Sequence, residues 1–188
     1  MSNEPYEDRL VKYLCQLEAK KDRGALAALR TGLGKRPGEA PRMFPHLSRF
    51  LGSTNTADAS VVAAFATASL FAMHPVHIER HSLGLALWHS TKSAGNPNGK
   101  HGEDGVEARF TAALDAHPDD LVRHVQGLIS LCESAGKGLD WAQFRTDLYF
   151  LLGDDQSKRE NVRFRWARDF WRGPSAVSES ETSEGNEK

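Results

Sequence analysis

Four histidines, His74, His77, His81 and His89, crowd the segment HPVHIERHSLGLALWHS. His77 and His81 stand four residues apart, so on a helix they could face one metal ion. Such a pair needs a third ligand, and neither an HExxH order nor a nearby cysteine supplies one. Glu79 falls on a different face. The group therefore reads as surface histidines, and no metal is expected. Nucleophilic chemistry has less support: Ser82-Leu83-Gly84 lacks a GxSxG elbow, and Cys15 and Cys132 sit in no active-site context. The glycines fall between helical segments, so no Walker A or GxGxxG loop exists to cradle a phosphate. The carboxylates Asp119-Asp120, Asp154-Asp155 and Asp140 sit where helix N-caps belong. No catalytic residue, no cofactor and no enzymatic activity are expected.

What remains is charge. Ser157 to Gly173 carries Lys158, Arg159, Arg163, Arg165, Arg168 and Arg172 against Glu160 and Asp169. Val162, Trp166 and Phe170 recur every four residues within it and share one helix face. A helix anchored by that face and showing arginines elsewhere suits a polyanion such as nucleic acid. A solvated, arginine-rich surface helix is the plainer alternative. A second block, Lys20 to Arg49, holds eight basic residues opposed only by Asp22 and Glu39. The net charge of −1 conceals both blocks, because Pro174 to Lys188 contributes −3. This asymmetry concerns partners rather than fold.

The elements that must position these residues are helices. Leu10, Leu14 and Leu17 form a first stripe, with Pro5 suited to its opening turn. Asp22 caps a second helix bearing Leu26, Leu29 and Leu33, ended by Gly32 and Gly34. Lys35 to Pro41 reads as a loop, and Phe44, Leu47, Phe50 and Leu51 as a third helix. A helix capped by Thr56 or Asp58 buries Val61, Val62, Phe65 and Phe71, and a short one follows with Leu83, Leu87 and Trp88. Ser93 to Gly105 (SAGNPNGKHGEDG) is the expected boundary or loop. Beyond it come Val106, Phe110 and Leu114. Pro118 then opens a helix with Leu121, Val125, Leu128, Ile129 and Cys132. Asp140 caps Trp141, Phe144, Leu148 and Leu151, and Asp154 or Asp155 caps the basic helix. No segment alternates as a strand does.

The expected fold is all-α, a bundle of about nine helices in two lobes. The lobes are residues 1–92 and 106–173, separated by the loop 93–105 and followed by an acidic tail, 174–188, expected to be disordered. The two cysteines make no disulfide framework, the N-terminus has no apolar signal region, and Val61 to Met73 is too short to span a bilayer. The chain reads as cytoplasmic, with no membrane partner. A helix-turn-helix reader fits poorly. After Gly136–Gly138 the next helix begins Trp141, Ala142, Gln143, Phe144, which is a core-seeking start. A free-standing helical DNA-binding regulator is the alternative carried from this reading.

The order of segments carries more than any one of them. KKDRGALAALRTGLGK is followed by HSLGLALWHS, a Gly-rich loop and VEARFTAALDAHPDDLVRHVQGLISL, then GLDWAQFRTDLYFLL and KRENVRFRWARDFW. This series, over about residues 5 to 172, resembles the CasB family, the small subunit of the type I-E CRISPR Cascade complex. Its most specific parts are Leu139-Asp140-Trp141 and the C-terminal Trp/Arg helix. The long Ser93–Gly105 loop and the acidic tail depart from the pattern. The resemblance implies a non-enzymatic helical subunit that sits beside a second copy of itself within an RNA-guided complex. Its partners would be other Cascade subunits, guide RNA and the single-stranded DNA displaced by pairing. Holding such a strand needs a positive groove and no base code. The positions expected to contact nucleic acid are Lys20, Lys21, Arg23, Arg30, Lys35, Arg36, Arg109, Arg123, Lys137, Lys158, Arg159 and Arg163. Trp141, Trp166 and Phe170, at helical spacing, are assigned to the core.

Overall fold

Side-chain caps set most of the helix starts in the computed structural model, which describes residues 8–93 and 100–174. Asp8 accepts from the N–H groups of Leu10 and Val11 and opens α1 (Arg9–Ala19). Asp22 caps α2 (Arg23–Arg30), and Asp58 caps α4 (Ala59–Met73). Between these lies α3 (Phe44–Leu47). Then follow α5 (Leu83–Ser93), α6 (Lys100–Asp115) and α7 (Pro118–Ser134), the last with proline at its first position. Asp140 caps α8 (Trp141–Leu152), and Asp155 caps α9 (Gln156–Arg172). Each cap satisfies backbone donors that the first helical turn leaves without partners. The described residues are all-α, as expected, and their one bridge pairs His77 with Leu139.

Helix α4 is the centre. Its sequence ASVVAAFATASLFAM is apolar on nearly every face, and Ala63 through Ala72 are buried. A helix apolar all round belongs inside. Helices α1, α2, α7 and α8 pack on it, α5 lies along α9, and α6 along α7. The core is continuous from Leu10 to Phe170. Trp141 and Trp166 are among the largest fully buried side chains, and Phe144 is stacked 6.3 Å from Trp166.

Several boundaries differ from expectation. Residues 100–105 are helical, so the glycine-rich boundary does not extend to Gly105. A glycine within a helix costs only about 1 kcal/mol, and the run from Lys100 supplies several good helix formers. Lys35 to Pro41 holds a 3-10 turn, Pro37–Glu39, and a second follows at Pro41–Met43. The third helix is a single turn continued by a 3-10 turn, Ser48–Phe50, so Phe44 is left 39% exposed. Val62 is half-buried, whereas its neighbour Val61 is buried. Pro5 and the acidic tail beyond Pro174 lie outside the described residues.

Candidate nucleic-acid interface

The turn between α1 and α2 gathers Lys20, Lys21 and Arg23, all exposed. Lys21 adopts a left-handed backbone, φ +54°, and its N–H bonds the Glu18 carbonyl at 2.8 Å while that of Asp22 bonds Leu17. This is the usual way to end a helix, with lysine where glycine is favoured. The carboxylate between the cations, Asp22, caps Ala25 at 3.0 Å. Lys35 and Arg36 are exposed on the following segment, where Glu39 accepts from the Arg36 backbone N–H at 3.1 Å.

Arg30 closes α2, and its Nε donates to the Ala72 carbonyl at the end of α4, 2.6 Å away. The same end of α4 carries His74, whose Nε2 donates to the Lys137 carbonyl at 2.8 Å. The Arg30 side chain and the Lys137 backbone carbonyl, far apart in sequence, thus each bond the C-terminal end of α4. Arg109 is exposed on α6, and Arg123 pairs with Asp120 at 3.1 Å, both well exposed.

The histidines are joints. His81 Nδ1 donates to the Gly138 carbonyl at 2.6 Å, and His77 Nδ1 accepts from the Trp141 backbone N–H at 3.2 Å. Trp141 Nε1 donates to the Val76 carbonyl, and Asp140 accepts from the Arg80 N–H while capping α8. A side chain on Gly138 would collide with the Val76 carbonyl at 2.8 Å, so the two loops close only over glycine. Burial, with His81 and Lys137 nearby, holds the His89 imidazole below its usual range.

The basic helix α9 is largely tied inward. Arg165 bonds the buried Asp147 carboxylate, which also receives Trp166 Nε1 at 2.6 Å and Gln143 Nε2 at 2.8 Å. Burial pushes the Asp147 carboxyl up, against the pull of Arg165, Trp166 and Gln143. Arg168 pairs with buried Asp169, whose other oxygen accepts from Ser82 Oγ at 2.6 Å. Arg163 donates to the Ala116 carbonyl at 3.0 Å, Lys158 lies 3.6 Å from Asp155 and over the Phe150 ring, and Arg159 is half-buried. Asp147, and the buried pairing role of Asp169, escaped the sequence reading, although each stands three residues after a core aromatic, Phe144 and Trp166. A carboxylate on an apolar stripe was the available signal.

The fold and its exposed cations define an all-helical protein with a charged surface built around a buried, alanine-rich helix. The family model for the CRISPR-associated protein Cse2 matches residues 25–171. The chain therefore belongs to the Cse2 family. A curated Cse2 protein of Thermus thermophilus is 28% identical over 179 residues, covering 94% of this chain and 96% of its own. The crystal structure of a Cse2-family protein from Thermus thermophilus has a TM-score of 0.71 at 28% identity, over 88% of this chain and 97% of that one. A chain of a CRISPR RNA-guided surveillance complex matches in fold, with a TM-score of 0.69 at 24% identity, over 93% and 96%.

Proposed function

We propose that the chain is a non-catalytic structural subunit of an RNA-guided antiviral complex of the Cascade kind. In this reading it contacts guide RNA, neighbouring subunits and a second copy of itself, and its basic surface stabilises the displaced strand of the R-loop. The observation that carries the reading is the α1–α2 turn. Lys20, Lys21 and Arg23 are exposed, and among the described residues the carboxylate beside them, Asp22, is engaged as a helix cap. Family membership and the shared fold with a chain of a surveillance complex supply the setting. R-loop formation exchanges one duplex for another of similar stability, so modest contacts to an unpaired strand are enough to tip it.

The test is charge reversal at Arg23, Arg30 and Arg159 together within the assembled complex. The expected result is a shorter R-loop lifetime and a log-affinity against log-salt slope smaller by about 0.7 for each phosphate no longer engaged. Arg30→Glu also removes the bond to the Ala72 carbonyl, so the melting temperature should fall, and the variant must still be helical by circular dichroism and assembled in the complex. An R-loop lifetime equal to that of the parent complex would sink the reading. Native mass spectrometry of the chain from its own cells provides the second check: a large assembly holding a short RNA is expected, whereas a lone monomer or dimer favours the free-standing DNA binder.

A further inference from the structure

His81, His89 and Lys137 come together from three places in the chain: the turn before α5, the middle of α5, and the segment after α7. Helix α7 ends with Gly136 in the left-handed region, φ +65°, and the Lys137 N–H returns to the Cys132 carbonyl at 2.9 Å. That termination fixes the Lys137 backbone. Its carbonyl bonds His74, and the next one, of Gly138, bonds His81 Nδ1. The His81 ring then lies 5.2 Å from the His89 ring, and Trp88 backs His89 edge-on at 4.8 Å. All three basic residues are half-buried. Among the described residues, no hydrogen bond or ion pair engages the Lys137 ammonium or the His89 ring, and the charges acting on His89 are both basic, His81 and Lys137. The neighbouring carboxylates are committed. Asp140 accepts from the backbone N–H groups of Arg80, Ala142 and Gln143, and Asp169 is bound by Ser82 and Arg168. Lys92, one turn along α5 from His89, has a partner of its own and is not counted. Basic groups gathered in a half-buried place disfavour one another's charge until an anion joins them.

We infer that this cluster binds one phosphoryl oxyanion, held by the Lys137 ammonium, the His89 ring and Nε2 of His81. The donor set selects the ligand. Three donors on separate segments suit the several oxygens of a tetrahedral anion, whereas a carboxylate offers two oxygens in one plane. The phosphoryl group has two sources, a free phosphate ion or a phosphodiester of a nucleic-acid strand. As a strand contact the site rests on the function proposed above, and it joins to Lys137 two histidines that the sequence assigned to the surface. As a seat for a free ion it stands apart from that reading. Proton linkage follows from the arrangement. With its Nδ1 proton on the Gly138 carbonyl, His81 donates from Nε2 only as the imidazolium. Burial and the two basic neighbours hold His89 below its usual range, and an anion among them opposes that influence. Binding therefore takes up protons.

The experiment is a titration of the purified full chain with inorganic phosphate, read from the histidine ring proton signals in NMR spectra. Sodium chloride and sodium acetate at equal ionic strength are the controls, and His89→Gln and His81→Asn assign the signals. Phosphate is expected to move the His81 and His89 signals and to raise the pH midpoint of His89. Lys137→Gln should weaken that response about tenfold, the usual worth of one charge-assisted hydrogen bond. Only the backbone of Lys137 bonds within the fold, so this variant keeps the test open should a histidine variant unfold. Ring signals unmoved by phosphate, moved equally by acetate, or indifferent to Lys137→Gln would overturn the site. So would a His89 midpoint that does not rise. None of these results touches the proposed function, which keeps its own test at Arg23, Arg30 and Arg159. An oligothymidylate separates the two sources. One that displaces phosphate from the rings assigns the site to a strand, and one that binds without displacing it assigns the site to the free ion. An oligothymidylate that fails to bind while the phosphate response persists keeps the site and removes the nucleic-acid reading.

Discussion

The two basic regions of this chain look alike in sequence and behave oppositely in the fold. Helix α9 has the higher density of arginines, but Arg165 and Arg168 are matched to the buried carboxylates of Asp147 and Asp169, and Arg163 to a backbone carbonyl. The block from Lys20 to Arg49 keeps Lys20, Lys21, Arg23, Lys35, Arg36 and Arg49 on the surface, and its two carboxylates bond backbone N–H groups. Charge density along a chain therefore does not map onto charge at a surface. A cation beside a buried carboxylate holds the fold together, and one beside a capping carboxylate remains available to a partner.

That contrast breaks most readily at Asp147. Asp147→Ala leaves Arg165 and Trp166 Nε1 without their acceptor, and the expected loss is about 2–4 kcal/mol in denaturant unfolding, since the buried Trp166 donor is orphaned while the Arg165 guanidinium still reaches water. A loss below about 1 kcal/mol would show that α9 does not depend on its arginines. Acidity offers a separate probe. Because burial raises the Asp147 carboxyl, the native chain takes up that proton at higher pH than the unfolded chain. The stability advantage of the parent over Asp147→Asn should accordingly be greatest in acid and shrink as pH rises through the raised value. Paired unfolding curves across pH check this, and a trend of opposite sign would overturn it.

The seam between α5 and α9 gives the next largest effect. A methyl group on Gly84 would press on the Trp166 carbonyl and lie 3.0 Å from the Phe170 N–H nitrogen. Gly84→Ala should cost about 1–3 kcal/mol, read from the melting temperature, because two backbones must part. In the other basic region the sign reverses. Lys21 holds a left-handed conformation in which glycine has no steric penalty, so Lys21→Gly should gain about 0.5–1 kcal/mol while weakening nucleic-acid binding. A lysine that lowers stability and strengthens binding would be the clearest expression of the contrast. The smallest effect is expected at Arg123, whose pair with Asp120 is open to solvent. Arg123→Ala should change stability by no more than about 0.5 kcal/mol by the same unfolding measurement.

The sequence by itself determined the all-helical class, the core stripes and most of the caps, because these depend on neighbours within one or two turns. Leu10, Leu14 and Leu17 needed only helical period to be placed inside, and Asp22, Asp140 and the Asp154–Asp155 pair needed only their position ahead of an apolar run. The Leu139-Asp140-Trp141 signature was also legible, and the fold supplies its reason: Asp140 and Trp141 hold the 74–82 loop by hydrogen bonds. Helix limits near Lys100 and Phe50 were not legible, since glycine and proline only bias a backbone that packing then decides. The fate of each cation belonged wholly to the tertiary structure. Arg165 meets Asp147 from a neighbouring helix, Arg30 meets the end of α4 from 42 residues away, and Arg49 lies over the Tyr13 ring of α1. Side-chain charge is local, whereas its neutralisation depends on which elements fold against it.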